Sequence, residues 1–312
     1  MSSSTYLYTN ITTENRGVPV KAVLSMTPTF FFLYVNIVML FTLRCKVIFR
    51  ETSRYILFAN MLFVDTLSLL ICVFLYILAV GRLYFSGIAC LVVVVSAGAL
   101  MRISPLNLAM MSLERYVAIC FPLRHVEVIT CWRTGGAIIV MWVVGSLNSF
   151  ADLLTFVMAG SNFGSTWGFC SRNLVFPLKV YNQINTAFSV IYFLMVGVII
   201  IYTYISITMV AKSATSDKIS ATKANKTVLL HLFQLGIYLA SLLHEPLLIV
   251  AFMYMDRISF LNVQYVLFVT LLIFPRCLSP LIYGLRDQIF SPIFLYNFTF
   301  SFRGTVKPVM SA

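Results

Sequence analysis

From Met111 to His125 the chain reads Met-Ser-Leu-Glu-Arg-Tyr-Val-Ala-Ile-Cys-Phe-Pro-Leu-Arg-His. A long apolar run comes first, Glu114 and Arg115 interrupt it, and a turn with Pro122, Arg124 and His125 follows at once. A soluble core helix has no physical reason to end in this way. A helix leaving a bilayer at its cytoplasmic face does, because charge is costly in hydrocarbon and basic residues collect on the inner side.

Working outward, the composition agrees. Of 312 residues, 60% are hydrophobic and only 10% charged, and the mean hydropathy is +0.94, whereas a soluble domain is about a quarter charged. The net charge of +12 does not indicate nucleic acid, because the basic residues fall in short clusters between apolar segments and not on one arm or patch. Seven cysteines are scattered with no Cys-x-x-Cys pair and no Cys/His grouping at metal-ligand spacing, so no metal or other cofactor is indicated. No nucleophile and base group together at a membrane-accessible position, which argues against an enzyme. The polar N-terminus lacks the pattern of a cleavable signal peptide, and the first membrane helix is expected to serve as the signal.

Apolar segments of about 20 or more residues, long enough to cross a bilayer, run over Ala22–Leu43, Tyr55–Val80, Ile88–Met111, Thr134–Val157, Gln183–Val210, Thr227–Tyr254 and Val263–Tyr283. The first, third and fifth loops and the C-terminal tail hold fourteen of the 22 Lys and Arg residues. The N-terminus and the other loops hold six, and Arg102 and Arg276 fall inside helices. The N-terminus is therefore expected outside, where Asn10-Ile11-Thr12 would be an N-glycosylation acceptor. The expected fold is an all-α membrane protein, a seven-transmembrane helix bundle. Residues 1–21 would lie outside, 22–283 would form the bundle, and 284–312 would form a cytoplasmic tail. In that tail Ile289, Phe290, Ile293 and Phe294 suit a short amphipathic helix on the inner membrane surface, with Pro292 in its first turn. The inverted repeat expected of many transporters is not evident.

With seven crossings and an external N-terminus, the chain resembles rhodopsin-like (class A) G-protein-coupled receptors. The resemblance is carried by Asn36 in the first helix, Asn60 and Asp65 in the second, Cys90 opening the third and Glu114-Arg115-Tyr116 closing it. Trp142 in the fourth and Ser279-Pro280-Leu281-Ile282-Tyr283 in the seventh complete it. Within that class the chain looks most like odorant receptors. Met111 to Leu123 is similar to their Met-Ala-Tyr-Asp-Arg-Tyr-Val-Ala-Ile-Cys-x-Pro-Leu; Lys223-Ala224, Thr227 and His231-Leu232 fit their entry to the sixth helix, and Pro280 to Arg286 their exit from the seventh. Ser53-Arg54-Tyr55 departs from their Pro-Met-Tyr, and the second outer loop holds one cysteine, Cys170, where they usually carry more. The Glu-Arg-Tyr variant looks more like the fish type than the mammalian. The resemblance implies a receptor in the plasma membrane for a small-molecule odorant, coupled to a heterotrimeric G protein of the stimulatory, cyclic-AMP-raising olfactory type. A class A receptor for an amine, lipid or peptide is the alternative.

Site expectations follow. Cys90 and Cys170 are the only cysteines on the outer side, an oxidising compartment, and are expected to form a disulfide over the mouth of the bundle. Arg115 reads either as a positive-inside anchor beside a solvated acid or, by the resemblance, as a restrained Arg that swings inward to meet the G protein, supported by Tyr204 and Tyr283. Adjacent helical residues do not face each other, so any Glu114–Arg115 pairing needs both side chains to bend. Asp65 is an acid in mid-membrane, expensive unless paired. It is expected to pair with Arg276 in preference to holding sodium with Ser104. Arg102 lies about 18 Å below Cys90 at 1.5 Å per residue, at pocket depth. It is read either as a structural ion pair with Asp152 or Glu245, or as a ligand contact among Met101, Phe150, Phe156, Tyr192 and Phe252.

Overall fold

The computed structural model describes residues 3–81, 85–158, 167–168, 170, 175, 179–214, 233, 236–237, 239–241, 243–284, 287 and 289–299. In chain order these form α1 (Ser3–Cys45), α2 (Val47–Glu51), α3 (Ser53–Val80), β1 (Phe85–Ser86), α4 (Gly87–Cys120), α5 (Pro122–Val128) and α6 (Cys131–Met158). There follow β2 (Trp167–Gly168), α7 (Lys179–Ala214), α8 (His244–Tyr254), α9 (Arg257–Leu267), a π-helical turn (Phe268–Ile273), α10 (Phe274–Gly284) and α11 (Phe290–Phe298). Among the described residues six segments are long and apolar enough to cross a membrane: Met26–Cys45, Ser53–Leu78, Gly87–Cys120, Cys131–Met158, Gln183–Val210 and Ile258–Leu278. The sixth of the seven expected crossings is described continuously only over its outer part, α8, and Lys223 and Lys226 before it lie outside the described residues.

Helix ends differ from the expected ones for local reasons. The third crossing does not stop at Met111 but continues to Cys120. Nothing between Glu114 and Cys120 breaks a helix; Pro122 does, and it forces Phe121 out of helical geometry (φ −133°, ψ 58°) before opening α5. Glu114-Arg115-Tyr116 therefore sits within the helix, more than a turn before its end. The seventh crossing begins earlier than Val263, at Arg257, because Asp256 caps it: its carboxylate accepts the Ile258 and Ser259 backbone N–H groups at 3.1 and 3.2 Å. Hydrogen bonding from Ser259, then from Ile258, holds that carboxyl below the usual aspartate range. The first helix runs back to Ser3, well ahead of Ala22. Outside the helices, Phe85 and Ser86 pair antiparallel with Gly168 and Trp167, a two-residue ribbon that the apolar pattern does not signal.

α4 is the central member, packed against α3, α6 and α7. Its Leu100, Ile103, Leu108 and Met111 join Met39 of α1, Met61 and Leu62 of α3, and Val196 and Ile200 of α7 in the main core. Apolar residues on the outer surface, such as Ile139, Val143, Val198 and Ile201, suit lipid and gain nothing from neighbouring helices, so packing there rests on close fit. One close approach is at Gly145 of α6, where an added Cβ would stand 2.5 Å from Ile103 Cγ1 and 3.5 Å from the Ile103 backbone.

At the inner end α11 is docked by aromatic contacts and one acid. Phe290 packs edge-on against Phe49 and Phe58 with ring centroids 5.6 and 5.7 Å apart. Asp287 accepts the Ile289 and Phe290 backbone N–H groups at 3.0 and 2.8 Å, capping α11. The same carboxylate takes the Arg54 guanidinium at 2.7 Å and the Tyr55 hydroxyl at 3.0 Å, which ties the tail helix to the start of α3.

Gly145→Ala should lower the stability of the purified protein by about 1–3 kcal/mol, the usual cost of overpacking. Gly197→Ala, with nothing within 4 Å of its added Cβ, should leave it unchanged or slightly raised; thermal melting in detergent reads both.

Candidate functional site

The outer end of α4 is fixed covalently. Cys90 and Cys170 form a disulfide with their Cα atoms 5.4 Å apart, and Val175, Leu91, Val94, Val95 and Phe156 pack around it. Together with the β1–β2 ribbon this holds Trp167, Gly168, Cys170 and Val175 against the top of α4.

Three turns further in lies a buried polar cluster. Arg102, 5% exposed, donates from Nη1 to the Gly98 carbonyl at 2.8 Å and from Nη2 to Asn185 Oδ1 at 2.5 Å. Its guanidinium carbon stands 6.0 Å from the centre of the Tyr192 ring, and the Tyr192 hydroxyl donates to the Val144 carbonyl. Asn148 Nδ2 reaches Asn185 Oδ1 at 3.4 Å and the buried Asp152 Oδ2 at 3.2 Å. Arg102 and Asp152 are thus connected through two asparagines on α6 and α7. Neither amide stands out in the sequence; the available signal is that Asn148 and Asp152 share one helix face at i, i+4. Met101 is half-buried beside Arg102. Phe252 does not join the cluster: it is 71% exposed and packs edge-on against Phe260, so it faces away from the interior. Phe150 is likewise exposed.

Deeper still, Asp65 is fully buried and accepts a hydrogen bond from Ser104 at 3.1 Å. Arg276, also buried, donates from Nη1 to the Leu272 carbonyl at 2.5 Å, within the π-helical turn one turn earlier on its own helix. Asn60 bridges three helices, donating to Asn107 at 3.3 Å and accepting from Trp142 Nε1 at 3.1 Å. Asn36 is buried with its amide making no hydrogen bond among the described residues. Asn10, Glu245, Ser279, Pro280 and Tyr283 are helical, and their side chains lie outside the described residues.

The inner switch candidate is built around the Glu114 carboxylate. Arg115 Nε stands 3.6 Å from Oε2 and His125 Nε2 stands 3.5 Å from Oε1, with the Glu114 side chain 9% exposed. The two neighbouring side chains do bend to meet, and His125 of α5 approaches from the far side. The Tyr116 hydroxyl shares a hydrogen bond of 3.2 Å with Tyr202; Tyr204, expected to support Arg115, is half-buried on the same helix. The sequence reading missed both His125 and Tyr202. Eleven positions and the turn at Phe121–Pro122 separate His125 from Glu114, and only the fold of α5 brings it back.

Comparison with known proteins now bears on this arrangement. The family described as 7 transmembrane receptor (rhodopsin family) matches residues 35–283. The chain is 36% identical over 260 residues to Odorant receptor 131-2 of Danio rerio, covering 83% of this chain and 79% of that one. It is 26% identical over 186 residues to Olfactory receptor 4K2 of Homo sapiens, 57% of this chain and 56% of that one. It is also 26% identical over 193 residues to Olfactory receptor-like protein COR2 of Gallus gallus, 59% of each.

Asn185→Leu removes the acceptor shared by Arg102 and Asn148. It should destabilise the protein by about 1–3 kcal/mol, the cost of leaving buried donors unmet, while Phe252→Ala should change the melting temperature little.

Proposed function

We propose, from the premise that the chain belongs to the rhodopsin family of seven-transmembrane receptors and is related to odorant receptors, that it is an odorant-type receptor. It binds a small molecule among the outer halves of the bundle helices and activates a heterotrimeric G protein, of the stimulatory olfactory type, at its inner face. Residues 22–283 make up the receptor domain, between an outer N-terminal segment and a cytoplasmic tail. The protein is a multi-pass membrane protein, and the plasma membrane is its proposed location.

The observation that carries this reading is the 36% identity to an odorant receptor along 83% of the chain. The placement of Glu114 and Arg115, a permanently charged donor fork held beside an acid at the inner end of the central helix, supports it. Ligand binding favours the state in which the inner ends part, and the shift is limited by the ligand's differential affinity for the two states. Arg115, released from Glu114, then presents its donors to the G protein. The polar cluster of Arg102, Asn148, Asp152, Asn185 and Tyr192 lies below the disulfide-held mouth, where a ligand entering from outside would reach it. Asp65, Ser104 and Arg276 form the proposed relay between that level and the inner end. There Asp65 and Arg276 meet each other's charge, with Ser279 and Pro280 on the same helix as Arg276.

The test is a cyclic-AMP screen of cells displaying the receptor, against amines, acids and neutral volatiles, followed by nucleotide exchange with purified G proteins. At least one ligand should accelerate exchange, and absence of exchange for every G protein with the receptor correctly at the surface would sink the reading. Arg115→Ala should reduce ligand-stimulated exchange to background while leaving ligand affinity within about threefold, the pattern of a residue used in coupling and not in binding.

A further inference from the structure

Glu114 and Arg115 are neighbours in one helix, and such side chains leave the backbone about 100° apart. Left to themselves they make a loose pair, and the 3.6 Å from Arg115 Nε to Oε2 is beyond a good hydrogen bond. The other carboxylate oxygen is not idle: His125 Nε2 stands 3.5 Å from Oε1. His125 comes from α5, whose own position is secured at both ends. Its first turn is set by Pro122 and by the Arg124 N–H bond to the Phe121 carbonyl. Its last turn is held by the Ile129 N–H bond to the His125 carbonyl and by Arg133 of α6, whose Nη1 donates to the Glu127 and Val128 carbonyls at 2.8 and 3.3 Å.

We infer that His125 is a positioning residue for coupling: by facing Oε1 it fixes the plane of the Glu114 carboxylate so that Oε2 remains turned toward Arg115. The inference rests on Arg115 being the coupling group proposed above. Nε2 makes no hydrogen bond among the described residues, so the ring acts by standing its polar edge 3.5 Å from Oε1 and closing that side of the carboxylate. The loop helix α5 thereby sets how firmly Arg115 is restrained, and any partner that displaces α5 loosens it. His125 acts only through Glu114, and this separates it from a residue that merely packs the loop.

The experiment is ligand-free nucleotide exchange by purified G protein on receptor in nanodiscs, at matched receptor amounts. His125→Ala should raise the basal rate about two- to fivefold, the scale of a partly exposed ionic contact. His125→Gln, which keeps an N–H at similar reach, should restore the wild-type rate. In a Glu114→Gln background His125→Ala should add nothing. A wild-type rate for His125→Ala, or an equal rise in both backgrounds, would overturn the inference. If wild-type receptor drives no exchange beyond Arg115→Ala with any G protein, the functional reading fails on its own. The contact is then judged by thermal melting of the single and double variants: losses for His125→Ala and Glu114→Gln that fall short of additivity support it, and additive losses overturn it.

Discussion

Charge placed in hydrocarbon must be met by the protein itself, because no solvent is there to meet it. That constraint organises this chain more than any single apolar contact. Asp65, Arg102, Asp152 and Arg276 all lie within the crossings, and all are buried between helices. Neutral groups stand among their partners. Ser104 donates to Asp65, Asn185 accepts from Arg102, Asn148 donates to Asp152, and the Leu272 carbonyl receives Arg276. The contacts that cross between helices, Ser104 to Asp65 and Arg102 to Asn185, fix the rotation of each helix about its own axis, which dispersion between apolar side chains in lipid does only weakly. The polar groups therefore specify how the bundle is assembled.

α4 collects most of these constraints. Its outer end is tied by the Cys90–Cys170 disulfide, its middle carries Arg102 and Ser104, and its inner end carries Glu114. Pro105 lies between the middle and the inner end and leaves the Met101 carbonyl without its helical donor. In the proposed receptor this is the element through which a ligand at the outer level biases the inner level. The bias needs no wire of moving side chains. It needs two arrangements of the bundle whose energies the ligand changes unequally. In the same proposal the Glu114 carboxylate, with Arg115 on its own helix and His125 on α5 beside it, is the contact that restrains Arg115.

Much of this was legible in the sequence, and the reasons for the misses are specific. The crossings and the cysteine pair follow from apolar length and compartment, which are properties of the chain alone. The end of the third helix does not. Glu114 and Arg115 mark where the chain reaches polar surroundings, whereas the helix ends where Pro122 stops it, and the two differ by more than a turn. Faces were harder than spans. Tyr202 and Tyr204 are two residues apart and lie about 200° apart around the helix, and it is Tyr202 whose hydroxyl meets Tyr116. Phe252 is exposed, on a face that apolar spacing alone does not assign. Asn148 and Asn185, which join Arg102 to Asp152, gave no charge signal, and the π-helical turn before Arg276 has no sequence mark that apolar periodicity detects.

In the proposed receptor the Glu114 carboxylate holds the inner end of α4 and the loop helix α5 in one arrangement. Hydrogen–deuterium exchange over residues 111–128 in ligand-free receptor, wild type against Glu114→Gln, tests it without ligand or G protein. Exchange should be faster in Glu114→Gln across α5 and the last turns of α4, with the outer half of α4 unchanged. Equal exchange in the two proteins would contradict it.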